Sequence, residues 1–132
     1  MNTILLVEDD LGNRAVIEDI FLFDNIGAEL AVAASGEQAL ALAAQMKPIL
    51  ILMDIRLPGM SGLEATATIR KDPNMKGVPL WAITAYARTE DKAKALAAGC
   101  DDHITKPFSR SQLAQRLREF VASHVRGLQP CP

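Results

Sequence analysis

The chain has 132 residues, of which 49% are hydrophobic and 23% charged, and its formal net charge is -2. That length supports one apolar core and not two, and the near-neutral charge gives no electrostatic reason to propose nucleic acid as a partner. No apolar run approaches the roughly 20 residues that cross a bilayer, and the N-terminus lacks a basic segment and reaches acids too early for a signal peptide, so a cytoplasmic protein without a membrane partner is expected.

Taken in order, the chain alternates short apolar runs with longer segments of helical periodicity. Thr3–Val7 reads as a strand, and Leu11–Phe23 as a helix with Val16, Ile20 and Phe23 on one stripe. Glu29–Ala34 is a second strand. Ser35 and Gln38 form a capping box, in which hydroxyl and amide each satisfy an orphan backbone donor, opening a helix through Met46. Ile49–Met53 is a third strand, and a helix follows Ser61 and ends before Asp72. Val78–Thr84 is a fourth strand. The alanine-rich helix from Thr89 to Ala98 stops at Gly99, a residue suited to a C-cap. Asp102–Thr105 is a weaker fifth strand, read from its place in the series. A second capping box, Ser109 to Gln112, starts a helix with Leu113, Leu117, Phe120 and Val121 on one face.

The organisation is one domain over residues 1–125 and a frayed tail over 126–132, with no internal repeat or linker. The strands are nearly continuous apolar runs instead of alternating ones, the pattern of parallel strands covered by helices on both faces. The fold class expected is therefore α/β, doubly wound, with a five-stranded parallel sheet. Cys100 and Cys131 stand apart from each other and from both histidines, so neither a disulfide framework nor a zinc site is suggested.

In an open α/β sheet, ligands bind beyond the carboxyl ends of the strands. The first run ends in Glu8, Asp9 and Asp10, the third in Asp54, the fourth in Thr84 and the fifth in Lys106. Parallel strands would bring these side chains to one edge. Crowded carboxylates invite a hard divalent cation with oxygen ligands, and magnesium fits best because it takes few acids and completes its shell with water and phosphate oxygens. Lys106 and Thr84 add a cation and a hydroxyl for phosphoryl oxygens, and Asp54 is a nucleophile able to form an acyl phosphate. Each residue alone has an ordinary reading: Asp54 as a turn former or cap, Glu8 to Asp10 as a solvated loop start, Asp10 as a helix cap, Thr84 as a strand end and Lys106 as a surface lysine. The joint pattern at four strand ends carries the functional reading.

Those residues resemble the receiver domain of bacterial two-component response regulators over about Asn2 to Val125. "ILLVEDD" is similar to the family's first strand and acidic pair, "ILMDIRLPGMSG" to its phosphorylation strand and loop, "WAITAYA" to its fourth strand, and "HITKPF" to its lysine and following proline. The resemblance implies a flavodoxin-like (βα)5 fold. It implies that Asp54 is the phosphoacceptor, that Glu8, Asp9, Asp54 and the backbone carbonyl of Arg56 hold Mg2+, and that Thr84 and Lys106 bind phosphoryl oxygens while Ala85 leaves room for them. Glu8 is expected to act partly through water. The bond between Lys106 and Pro107 is cis in similar domains, a geometry accessible before proline.

One position departs from the family pattern. Three residues before the lysine, similar proteins place Tyr or Phe as a switch; this chain has His103, either a partly exposed strand-end residue or a group that can ionise near neutral pH. Tyr86 offers an alternative aromatic. Arg56 and Tyr86 occupy the positions that govern water access in similar proteins, and their bulk is expected to slow loss of the phosphoryl group.

The resemblance implies a sensor histidine kinase or a histidine phosphotransfer protein as donor, docking near Asn13, Arg14 and Phe108. A homodimer through the face of the fourth helix, fifth strand and fifth helix is an option. With no output domain after residue 125, the expected signal passes by protein contact or by onward phosphotransfer. Three other readings compete: an aspartate-nucleophile phosphatase, for which Arg56 stands where a second acid belongs; a receiver-like module that is never phosphorylated; and a flavin or nucleotide binder, for which no glycine-rich phosphate loop follows the first strand.

Overall fold

A computed structural model describes residues 2–57, 59–75, 77–84, 89–106 and 108–127, with the backbone alone at 89–92 and 125–127. The elements are β1 (Thr3–Val7), α1 (Leu11–Phe23), β2 (Glu29–Ala33), α2 (Gly36–Met46), β3 (Leu50–Asp54), α3 (Gly62–Lys71), β4 (Leu80–Thr84), α4 (Thr89–Ala98), β5 (Asp102–Thr105) and α5 (Arg110–Gly127). The five strands form one parallel sheet in the order β2-β1-β3-β4-β5. This is the doubly wound, flavodoxin-like α/β fold.

Strand side chains alternate between two apolar layers. Leu5, Val7, Ile51, Met53, Leu80 and Ala82 pack against Ala39 and Ala43 of α2, Ala65 and Ile69 of α3, and Ala95 of α4. On the opposite face Ile4, Leu6, Leu50, Leu52, Ile83 and Ile104 meet Ile17 and Ile20 of α1 and Leu113, Leu117 and Val121 of α5. Both faces being covered explains the continuous apolar runs, and each fully buried aliphatic side chain is worth roughly 1.5 to 3 kcal/mol.

Helix starts follow local hydrogen-bond chemistry. Asp10 caps α1 by accepting from the amides of Gly12 and Asn13, and Ser61 caps α3 by accepting from Glu64. Ser35 accepts from the Gln38 amide at 3.1 Å, while the Gln38 side chain accepts from Ala34, one residue outside the expected box. Ser109 accepts from the Gln112 amide at 3.4 Å. Gly99, at a φ of 113°, lets the chain leave α4 while the amides of Gly99 and Cys100 bond to Leu96 and Ala95.

Two expectations need revision. The inward stripe of α1 is Ile17 and Ile20; Val16 and Phe23 are 38% and 72% exposed. Apolar residues occupy several flanks of this helix, so periodicity alone could not select the buried one. At the other end, α5 continues through Gly127, two residues into the segment expected to fray, and residues 128–132 lie outside the described residues.

Candidate functional site

The parallel sheet delivers the ends of β1, β3, β4 and β5 to one edge. Asp54 is the last residue of β3 and pairs in register with Ile83, so Thr84 lies one position further along the neighbouring strand. Thr84 pairs with Thr105, and the Lys106 amide donates to the Thr84 carbonyl at 2.7 Å. Glu8 follows β1 directly and is anchored by its amide, which donates to Ala33 of β2.

Three side chains meet there. The Lys106 ammonium lies 2.9 Å from Glu8 Oε1 and 3.2 Å from Asp54 Oδ2. The second oxygen of Asp54, Oδ1, accepts the Arg56 amide at 3.0 Å, which fixes the carboxylate plane and folds the following loop over it. Carboxylate oxygens of Glu8, Asp9 and Asp54 fall within 4.8 Å of one another. Glu8 is wholly buried, Asp54 and Thr84 nearly so, and Asp9 is exposed. Of the three acids, Asp9 is the one that faces solvent.

The electrostatics are those of a pocket with more anion than one lysine offsets. Burial, and then the hydrogen bond and charge of Asp54, push the Glu8 carboxyl up to about 7 against the lowering influence of Lys106. Burial alone would lower Lys106, but its hydrogen bond to Glu8 and the charges of Asp54 and Glu8 raise it above the ordinary lysine value. The ammonium is therefore a fixed positive charge. Three oxygen donors with surplus negative charge, and no nitrogen or sulfur ligand among them, suit a hard divalent ion.

The loop after Asp54 is held at both ends. The Gly62 amide donates to the Ile55 carbonyl at 2.8 Å, and a Cβ on Gly62 would meet the Asp54 carbonyl oxygen at 2.0 Å. Only glycine allows the start of α3 to press against the backbone behind the carboxylate. The sequence reading gave Gly62 no role; its signal is a glycine directly after a serine cap. Leu57 is buried, and Met60, half-buried, packs against the same apolar layer.

Of the remaining expected residues, His103 sits half-buried on β5, with Nδ1 3.8 Å from Asp102 Oδ1 and its carbonyl accepting from Arg116. It lines a cleft of about 300 Å3 with Phe108, Gln112 and Arg116. Asn13 and Arg14 lie in the first turn of α1 and are half-buried. Ala85, Tyr86 and Pro107, and with Pro107 the expected cis bond, lie outside the described residues, as does Pro58. Asp10 is a helix cap, the ordinary reading open to it from the sequence.

A doubly wound sheet with a lysine braced by two acids at its carboxyl edge defines a class of phosphoryl-signalling domain, and comparison with known proteins agrees. Residues 4–118 match the family model for the response regulator receiver domain, and the chain belongs to that family. It is 34% identical over 119 residues to the polar-differentiation response regulator DivK of Brucella ovis, covering 90% of this chain and 95% of that protein. It is also 34% identical over 130 residues to the sensor protein GacS of Pseudomonas syringae, of whose length it spans 14%. Among solved structures, the receiver domain of a Pseudomonas aeruginosa sensor histidine kinase, determined with magnesium in its active-site cleft, superposes with a TM-score of 0.81 at 38% identity, over 92% of this chain and 98% of that one.

Proposed function

We propose that this receiver domain takes a phosphoryl group onto Asp54 from the phosphohistidine of a sensor histidine kinase or a histidine phosphotransfer protein. It then signals in the cytoplasm by protein contact or by handing the group onward. The observation that carries the reading is the placement of the Lys106 ammonium against both Glu8 and Asp54 at 2.9 and 3.2 Å. One oxygen of Asp54 attacks phosphorus as the bond to the donor imidazole breaks, and the electron pair of that bond leaves with the imidazole nitrogen. Lys106 then turns from the carboxylates to a phosphoryl oxygen, and Thr84 donates its hydroxyl to another.

Glu8, Asp9, Asp54 and the Arg56 carbonyl are the residues to hold Mg2+. The crowding of three carboxylates within 4.8 Å, with Glu8 pushed up to about 7, supports this fit. A magnesium ion held there supplies positive charge against the phosphoryl oxygens. Arg56, with Tyr86, governs the approach of hydrolytic water. Phosphorylation biases two existing conformations through Thr84 and its loop, with His103 or Tyr86 as the reporting side chain. The face of α4, β5 and α5 is then available for a homodimer.

The test is intact-mass analysis after incubation with acetyl phosphate and magnesium. A single phosphate adduct on the wild type that is absent from Asp54→Asn supports the reading. Unmodified wild-type protein would assign the chain to the unphosphorylated interaction modules, and steady multiple-turnover release of phosphate from a phosphomonoester would assign it to the phosphatases.

A further inference from the structure

The first third of the chain differs sharply in charge from the rest. Residues 1–46 contain one basic residue, Arg14, against eight acidic ones, a formal net charge of -7, while the rest of the chain brings the total back to -2. That acidic third builds β1, α1, β2 and α2; Arg110 of α5 meets Asp19 and Asp24, while Glu18 and Glu29 border the edge of the sheet at β2. On that end, between the C-terminal half of α1 and the edge strand β2, lies a trough of about 490 Å3. Phe21, Leu22, Leu30 and Val32 line it, and Glu18 and Glu29 stand among its lining residues. Leu22 is 75% exposed.

Leu22 lies roughly 16 Å along α1 from Leu11, at the end of the helix remote from the acid and lysine cluster. An occupant of this trough leaves Asp54 open, so the surface is separate from the one that admits a phosphoryl donor. Leu30 and Val32 belong to the apolar layer beneath α1, so the trough lies on the helix-covered face and not along the hydrogen-bonding edge of β2. Its complement is a ridge of side chains, not an added strand. A second copy offering the same shoulder would set Glu18 and Glu29 against their own counterparts, which disfavours a symmetric dimer.

We infer that the α1 and β2 shoulder docks a basic amphipathic helix of a partner protein, whose apolar side chains fill the trough while flanking lysines or arginines meet Glu18 and Glu29. The inference is independent of phosphorylation at Asp54.

The probe is a synthetic helical peptide with leucines at i, i+3, i+4 and i+7 and lysines on the flanks, titrated into the full chain and followed by amide NMR shifts. A second peptide carries glutamate for lysine. Saturable shifts centred on Glu18, Leu22 and Leu30, absent with the glutamate peptide, support the inference. The double variant Glu18→Lys, Glu29→Lys should weaken binding by about tenfold or more, and Leu22→Ser, a change at an exposed site, should weaken it with the fold intact. Shifts centred on Asp9 and Lys106, equal response to both peptides, no saturable response, or binding unmoved by the charge reversal would each overturn it. So would sedimentation evidence that the same residues bury themselves in a self-associated form.

Discussion

Glu8 is an enclosed carboxyl whose proton the native protein holds more tightly than the unfolded chain does, and replacing it with glutamine isolates that effect. In the folded protein burial and Asp54 push the group up to about 7, against 4.5 for an ordinary glutamate. The stabilisation it contributes is therefore complete below about pH 4.5 and is lost as pH rises through about 7. At about 1.4 kcal/mol per tenfold change in proton affinity, the wild type should lose about 2 to 3 kcal/mol between about pH 5 and about pH 8 through this group alone. Glu8→Gln keeps the side-chain shape without the titration. Urea denaturation of both proteins across that range, with a chelator present, should show the variant gaining about 2 to 3 kcal/mol on the wild type toward alkaline pH. Lys106 does not confound the comparison, because its folded value lies above the ordinary 10.5 and its contribution fades only at more alkaline pH. Added magnesium should shrink the gain by favouring the ionised carboxyl. Parallel stability curves for the two proteins would refute the picture of a carboxyl squeezed between burial and Asp54.

Gly62→Ala should destabilise the chain by about 1 to 3 kcal/mol in urea unfolding, because its Cβ would strike the backbone at Asp54 and Ile55; an unchanged midpoint would mean that the loop yields freely. Arg70, with 19% side-chain exposure, donates to the carbonyls of Gly99 and Val78 and to Asp101, tying α3 to the entries of β4 and β5. Arg70→Met should cost about 2 to 3 kcal/mol, and Arg70→Lys most of that, since an ammonium cannot span the three acceptors; thermal unfolding reads both. Ser35→Ala should cost about 1 kcal/mol through loss of the α2 cap, visible as a shift in denaturation midpoint at constant slope.

The strands were readable because parallel strands covered on both faces leave uninterrupted apolar runs, and the helix starts because Asp10, Ser35 and Ser61 each place an oxygen where orphan amides need one. The meeting of Glu8, Asp54 and Lys106 was readable from strand order alone. What escaped depends on distances between elements. That Lys106 sits nearer Glu8 than Asp54 follows from the longer glutamate reach across β1 and β3, which no spacing in the sequence encodes. The facing of α1 escaped because Leu11, Val16, Leu22 and Phe23 are all exposed apolar residues at helical spacings that compete with Ile17 and Ile20. Arg70 was passed over because its acceptors lie on turns up to 31 positions away.

The hydrogen bond from Gly62 to Ile55 closes the chain between them into a small ring attached to β3 and α3 at one point. Both partners of the closing bond are backbone groups, so a change of side chain inside the ring leaves that bond in place, whereas a change in its length does not. Inserting a single residue would displace the Gly62 amide and with it the close approach of α3 to the backbone of Asp54.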